Sequence, residues 1–144
     1  MITGAIFDFD GTLFDSMQIW QTIPGDYLIS IGYKPKEDIN QVFQNLCLED
    51  SALYYQKEYG VTLSTEEIIT GITSMVEHYY KDLIQPKENI EEFLKQLKAK
   101  GVKMCIATAN DYSLIKASLV RCNLDSYFDK IITCSGLLQL VGSF

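Results

Sequence analysis

Ala5-Ile6-Phe7-Asp8-Phe9-Asp10-Gly11-Thr12-Leu13-Phe14-Asp15-Ser16 is the stretch on which the fold turns. Ala5 to Phe7 read as a short buried strand, ended by an acidic turn that contains glycine. Asp8 and Asp10 stand two residues apart, so in extended geometry their side chains share a face. Two carboxylates this close repel unless a proton or cation separates them. Mg2+ suits such a site, because it takes a few hard oxygens and keeps several waters. Gly11 allows a backbone turn that a side chain would hinder, and Thr12 can brace the loop. Leu13 and Phe14 follow at once. Apolar residues on both sides of an acidic turn point to a packed loop and away from a solvated one. An EF-hand does not fit: counted from Asp8, Leu13 and Ile19 stand where that loop needs glycine and a bidentate glutamate.

Outward from this motif, helical signals run from about Met17 to Leu83. Ser64-x-x-Glu67 has the form of a capping box. After it, Ile68, Ile69, Ile72, Met75, Val76 and Tyr79 recur at helical spacing. Pro24 and Pro35 punctuate the earlier part. Ile19 to Leu83 is therefore read as a bundle of about four helices. Pro86 marks the return. Asn89-x-x-Glu92 opens another helix, with Phe93, Leu94 and Leu97 on one face, and Gly101 closes it after Lys98 and Lys100. Val102 to Ala107 is an apolar strand, Thr108 to Asp111 a turn, Tyr112 to Cys122 an amphipathic helix, and Lys130 to Cys134 a further strand. Strands alternating with helices predict an α/β fold with a Rossmann-like parallel sheet. Right-handed crossovers place the strand ends bearing Asp8 and Thr108 on one edge, where ligands of such sheets bind. The expected domains are a core of residues 1–16 and 85–144 and an inserted helical bundle of residues 17–84.

Composition narrows the function. The 144-residue chain is 47% hydrophobic and carries a net charge of −7. An acidic surface repels nucleic-acid phosphate and anionic lipid, so neither is an expected partner. No stretch approaches the ~20 apolar residues of a membrane helix, and no basic segment precedes the first apolar run. The expected location is cytoplasmic. Cys47, Cys105, Cys122 and Cys134 form no C-x-x-C pair and are read as buried free thiols. His78, Trp20 and the pairs Tyr54-Tyr55 and Tyr79-Tyr80 are read as parts of the helical bundle.

The chemistry available to paired acids at a strand end is phosphoryl transfer. One carboxylate can attack phosphorus to make an acyl phosphate, while the other moves the proton of the leaving oxygen and then of the attacking water. A bound cation offsets the charge of nucleophile and phosphoryl oxygens.

The motif from Ala5 to Ser16 resembles the first motif of the haloacid dehalogenase-like hydrolases. It is most similar to the subgroup with a helical cap inserted after that motif, which includes β-phosphoglucomutase-like enzymes and phosphoglycolate-type phosphatases. Cys105-Ile106-Ala107-Thr108-Ala109-Asn110 resembles the second motif, and the helical segment matches the cap in place and length. The resemblance implies that Asp8 is the nucleophile and Asp10 the general acid/base. It implies Mg2+ at the Asp8 carboxylate and the Asp10 main-chain carbonyl, and phosphate held by Thr108, Ala109 and Asn110 with Gly11 and Thr12. The expected substrate is a small phosphorylated metabolite; a sugar-phosphate mutase is the nearest variant.

The family's later motifs, a lysine and then one or two acids, have no counterpart, because no lysine follows Lys130 and no acid follows Asp129. The resulting expectation is a shortened, catalytically weak chain. Its exposed sheet edge would favour self-association, and it would serve as a metal- or partner-binding module.

Overall fold

The computed structural model describes residues 1–134. The chain divides into two compact units, one of residues Met1–Ser16 with the chain from Tyr80 onward, the other Met17–Tyr79.

The first unit carries a parallel sheet. Strands β1 (Gly4–Phe7), β2 (Lys103–Thr108) and β3 (Lys130–Thr133) lie in the order β1-β2-β3. The register pairs Phe7 with Ile106 and Thr108 with Thr133. The sheet is the predicted Rossmann-like α/β arrangement, with its connections running through α5 (Ile90–Ala99) and α6 (Tyr112–Arg121). Along β2, Met104, Ile106 and Thr108 are buried, as strand alternation requires. Phe7 packs edge-on against Phe93 of α5, with ring centroids 6.2 Å apart, and against Phe128 at 6.1 Å. β1 stands at the edge of the described sheet, and Ile6 on it is 73% exposed.

Four α-helices make up the second unit: α1 (Met17–Ser30), α2 (Ile39–Val42), α3 (Leu48–Tyr59) and α4 (Thr65–His78). The capping box forms as read, with Ser64 Oγ accepting from Glu67 N at 3.1 Å and Glu67 Oε2 accepting from Ser64 N at 2.8 Å. Those bonds hold the Glu67 carboxyl below its usual range. Pro24 does not punctuate; it sits inside α1. Two tertiary hydrogen bonds flank it: Gly25 N donates to Asn40 Oδ1 at 3.1 Å, and the Pro24 carbonyl accepts from Tyr55 Oη at 2.7 Å. Asn89 opens α5 as expected. It precedes α5 in the left-handed region (φ 63°) and makes no side-chain cap. The cysteines are free thiols, but Cys47 and Cys134 are exposed and Cys105 and Cys122 half-buried. Cys47 lies at a helix start, its Sγ 3.5 Å from Asp50 N, a place set by the chain turn. Among the described residues, no helix is long and apolar enough to cross a membrane.

Gly71 lets α4 approach α1. A Cβ there would stand 2.7 Å from Tyr27 Cε2 and 2.9 Å from Tyr27 Oη, and Tyr27 is itself buried. Gly71→Ala gains up to about 1 kcal/mol of helix propensity. The overlap should outweigh it, for a net loss of roughly 1–2 kcal/mol. Urea unfolding would measure this, and a higher midpoint than wild type would mean that the Tyr27 ring simply swings aside.

Candidate active site

The strand-end loop closes on itself. The Phe9 carbonyl accepts from Leu13 N at 3.0 Å and Phe14 N at 3.2 Å, and Gly11 N donates to the Phe14 carbonyl at 2.9 Å. Gly11 adopts φ 74°, a conformation that a side chain would strain. Phe9, Leu13 and Phe14 are fully buried, and the Phe9 and Phe14 rings stack with centroids 4.5 Å apart. The exit of this loop is tied to the return segment: Asp15 N donates to the Gln85 carbonyl and Lys87 N to the Leu13 carbonyl, each at 2.9 Å. The motif therefore rests on a buried apolar base with its acids above it.

The two acids have different surroundings. Asp8 is exposed, and its Oδ1 accepts from Phe9 N at 2.8 Å. It follows Phe7, whose partner is Ile106, so it stands beside the end of β2. Asp10 is half-buried and heavily hydrogen-bonded. Its Oδ1 accepts from Ser16 Oγ at 2.6 Å and Tyr80 Oη at 2.5 Å, and its Oδ2 accepts from Asn110 Nδ2 at 3.3 Å. This last bond joins the Asp10 loop to the Thr108 turn across 100 residues of sequence.

Thr108 is buried at the end of β2. Its Oγ1 accepts from Asn110 N at 3.1 Å, which leaves the hydroxyl hydrogen to donate elsewhere. Asn110 Oδ1 accepts from Asp111 N at 2.9 Å, so the Asn110 side chain braces the turn at both ends. Asp111, and not Thr108, caps α6, accepting from Ser113 N at 2.9 Å. Ala109 is exposed beside Thr108, and Thr12 is exposed on the neighbouring loop. Among the sequence-derived positions, the structure thus links Asp10, Thr108 and Asn110 directly.

Ser16 and Tyr80 emerge as partners of Asp10. Ser16 ends the motif stretch, where the sequence assigns it no role in the site. Tyr80 lies 70 residues from Asp10, and nothing in the local pattern marks it.

Among the described residues, no three His, Cys, Asp or Glu side chains gather into a metal cage. The acids Asp8 and Asp10 offer hard oxygens only. A donor set of one or two carboxylates completed by water suits Mg2+ and not a thiolate- or imidazole-seeking metal.

The family model described as haloacid dehalogenase-like hydrolase matches residues 5–138. Pyrophosphatase PpaX of Bacillus cereus is 26% identical over 137 residues, covering 92% of this chain and 59% of the relative. The chain therefore spans about three-fifths of the length of the curated relative it matches. The crystal structure named "putative beta-phosphoglucomutase" from Thermotoga maritima superposes with a TM-score of 0.82 at 20% identity, covering 94% of this chain and 62% of that one. A HAD family hydrolase from Deinococcus radiodurans R1, solved with bound phosphate and sodium, has a TM-score of 0.69 at 17% identity, covering 94% and 59%. These structural likenesses establish the shared fold.

Proposed function

Because this chain belongs to the haloacid dehalogenase-like hydrolase family, we propose that it transfers the phosphoryl group of a small phosphorylated metabolite, with Asp8 as nucleophile and Asp10 as general acid/base. An Asp8 carboxylate oxygen attacks phosphorus, and the bond to the leaving oxygen breaks as Asp10 gives that oxygen a proton. The product is an aspartyl phosphate on Asp8. Asp10 then takes a proton from water, the water oxygen attacks phosphorus, and Asp8 is released as carboxylate with inorganic phosphate.

Thr108, with Ala109 and Asn110, receives the phosphoryl oxygens in this reading, and Gly11 and Thr12 line the opposite loop. Among the described residues the Thr108 hydroxyl hydrogen has no acceptor, which suits that task. Mg2+ would be held by the Asp8 carboxylate and the Asp10 main-chain carbonyl, and it supplies charge compensation for phosphoryl group and nucleophile. The core, expected at residues 1–16 and 85–144 and reaching back to Tyr80 in the structure, carries the chemistry, and the helical residues between act as the cap that selects the substrate. Phosphate bound to the Deinococcus hydrolase supports a phosphorylated substrate. The observation that most favours the reading is the Asn110–Asp10 bond, since it brings the two motif loops into one site.

The test is hydrolysis of p-nitrophenyl phosphate by the purified chain with Mg2+, stopped by EDTA, together with acid-quench detection of an alkali-labile phosphate on the protein. Mg2+-dependent turnover with such labelling supports the proposal. Absence of both, with light scattering that rises steeply with concentration, would instead favour a partner-binding module that associates through the exposed β1 edge, where Ile6 stands open.

A further inference from the structure

Asp10 is held more firmly than a solvated acid needs to be. Its Oδ1 receives two short O–H donors, from Ser16 at 2.6 Å and Tyr80 at 2.5 Å, while Oδ2 receives one longer N–H donor from Asn110 at 3.3 Å. Short hydroxyl bonds to a carboxylate are the strong, charge-assisted kind. A carboxylate oxygen offers about two lone-pair sites, so among the described residues Oδ1 is filled and Oδ2 keeps one open.

Tyr80 is itself fixed in place. It is fully buried and lies in a π-helical turn, Tyr79–Leu83, a form often found at functional positions. Its ring lies 6.3 Å from that of Phe9, at 29°. Its main-chain carbonyl accepts from Ser118 Oγ at 2.8 Å and Arg121 Nη2 at 3.4 Å, and Arg121 also bonds the Ile84 carbonyl. Arg121 is the only arginine in the chain, and it is used to hold this turn.

We propose that Tyr80 is a positioning residue for Asp10: with Ser16 it occupies Oδ1, so the proton that Asp10 gives and takes travels on Oδ2, on the side of the Thr108 turn. The inference rests on the acid/base reading of Asp10. Without the tyrosine hydroxyl, Oδ1 has an open lone pair and the proton divides between two oxygens, one of them facing away from the reaction.

The test compares two substrates in wild type and Tyr80→Phe, which keeps the ring. An alkyl phosphate needs its leaving oxygen protonated; p-nitrophenyl phosphate hardly does. Tyr80→Phe should lower the single-turnover rate of alcohol release from the alkyl phosphate about tenfold or more. It should leave the single-turnover burst of p-nitrophenolate, which reports attack by Asp8 alone, within about twofold, while steady-state turnover of both substrates falls because Asp10 also takes the proton from water. Equal losses in the two single-turnover rates would overturn the inference and make Tyr80 a packing residue.

A second readout needs no turnover. In chain labelled with 13Cζ-tyrosine, the Tyr80 resonance, identified by its loss in Tyr80→Phe, should move in Asp10→Asn while the other eight tyrosines stay in place. A Tyr80 resonance indifferent to Asp10→Asn overturns the proposal whatever the activity. If Asp8→Asn leaves turnover intact, the phosphoryl-transfer reading has failed and the coupling of Tyr80 to Asp10 is judged by the resonance alone.

Discussion

Asp8→Asn is expected to reduce Mg2+-dependent phosphate-ester hydrolysis by at least about 10⁴-fold, because loss of a covalent nucleophile removes a whole reaction path and not one stabilising contact. The amide has nearly the shape of the carboxylate but lacks the anionic oxygen that attacks phosphorus. It can keep the local structure, since its carbonyl oxygen can still accept from Phe9 N, as Asp8 Oδ1 does at 2.8 Å. Asp8 is exposed, so the change leaves no buried group unpaired. Steady-state kinetics should therefore collapse while the melting temperature stays within about 2 °C of wild type, since exposed substitutions shift stability by about 0.5 kcal/mol at most. Acid-quenched protein should also lose its labile phosphate. An Asp8→Asn chain that turns over at the wild-type rate would remove Asp8 from the chemistry.

The largest stability effect is expected at Tyr55, in the centre of the helical unit. Tyr55 is fully buried, its ring centroid 4.6 Å from Phe43 and 5.5 Å from Tyr27. Burial pushes its phenol well above the ordinary range, so it stays a neutral donor at any working pH. That donor satisfies the Pro24 carbonyl inside α1. Tyr55→Ala removes the ring and leaves a cavity, at a cost of roughly 3–5 kcal/mol. It also removes the hydrogen bond to the Pro24 carbonyl, which adds about 1 kcal/mol. The melting temperature should fall on the order of 10 °C. Tyr55→Phe keeps the ring and loses only the hydrogen bond, so it should cost about 1–2 kcal/mol. Calorimetry on both variants separates packing from hydrogen bonding. Equal losses in the two would place the whole contribution in the Tyr55–Pro24 bond.

Where a signal is local, the chain announces it. Ser64 and Glu67 lie three apart, and their capping box needs only one turn of helix to form. The apolar run Val102 to Ala107 announced a strand, but only the structure shows that Met104 and Ile106 face inward while Ala107 is exposed. The same local reading held at Asn89, which stands directly before α5 although its side chain makes no cap bond. It failed at Pro24, which lies inside α1 because burial of that helix face outweighs the one ladder bond the proline removes. It failed for the cysteines as well, since an apolar neighbourhood in sequence does not fix which side of an element faces solvent.

The sequence by itself determined the α/β class and the acidic loop after β1, because apolar periodicity, a glycine turn and adjacent acids act over a few residues. Tertiary structure alone decided which side chains hold Asp10. Ser16, Tyr80 and Asn110 reach it from three parts of the chain, and a hydrogen bond depends on ångström-scale placement that the parallel sheet and the π turn supply. The spacing of residues along the chain carries no record of that placement.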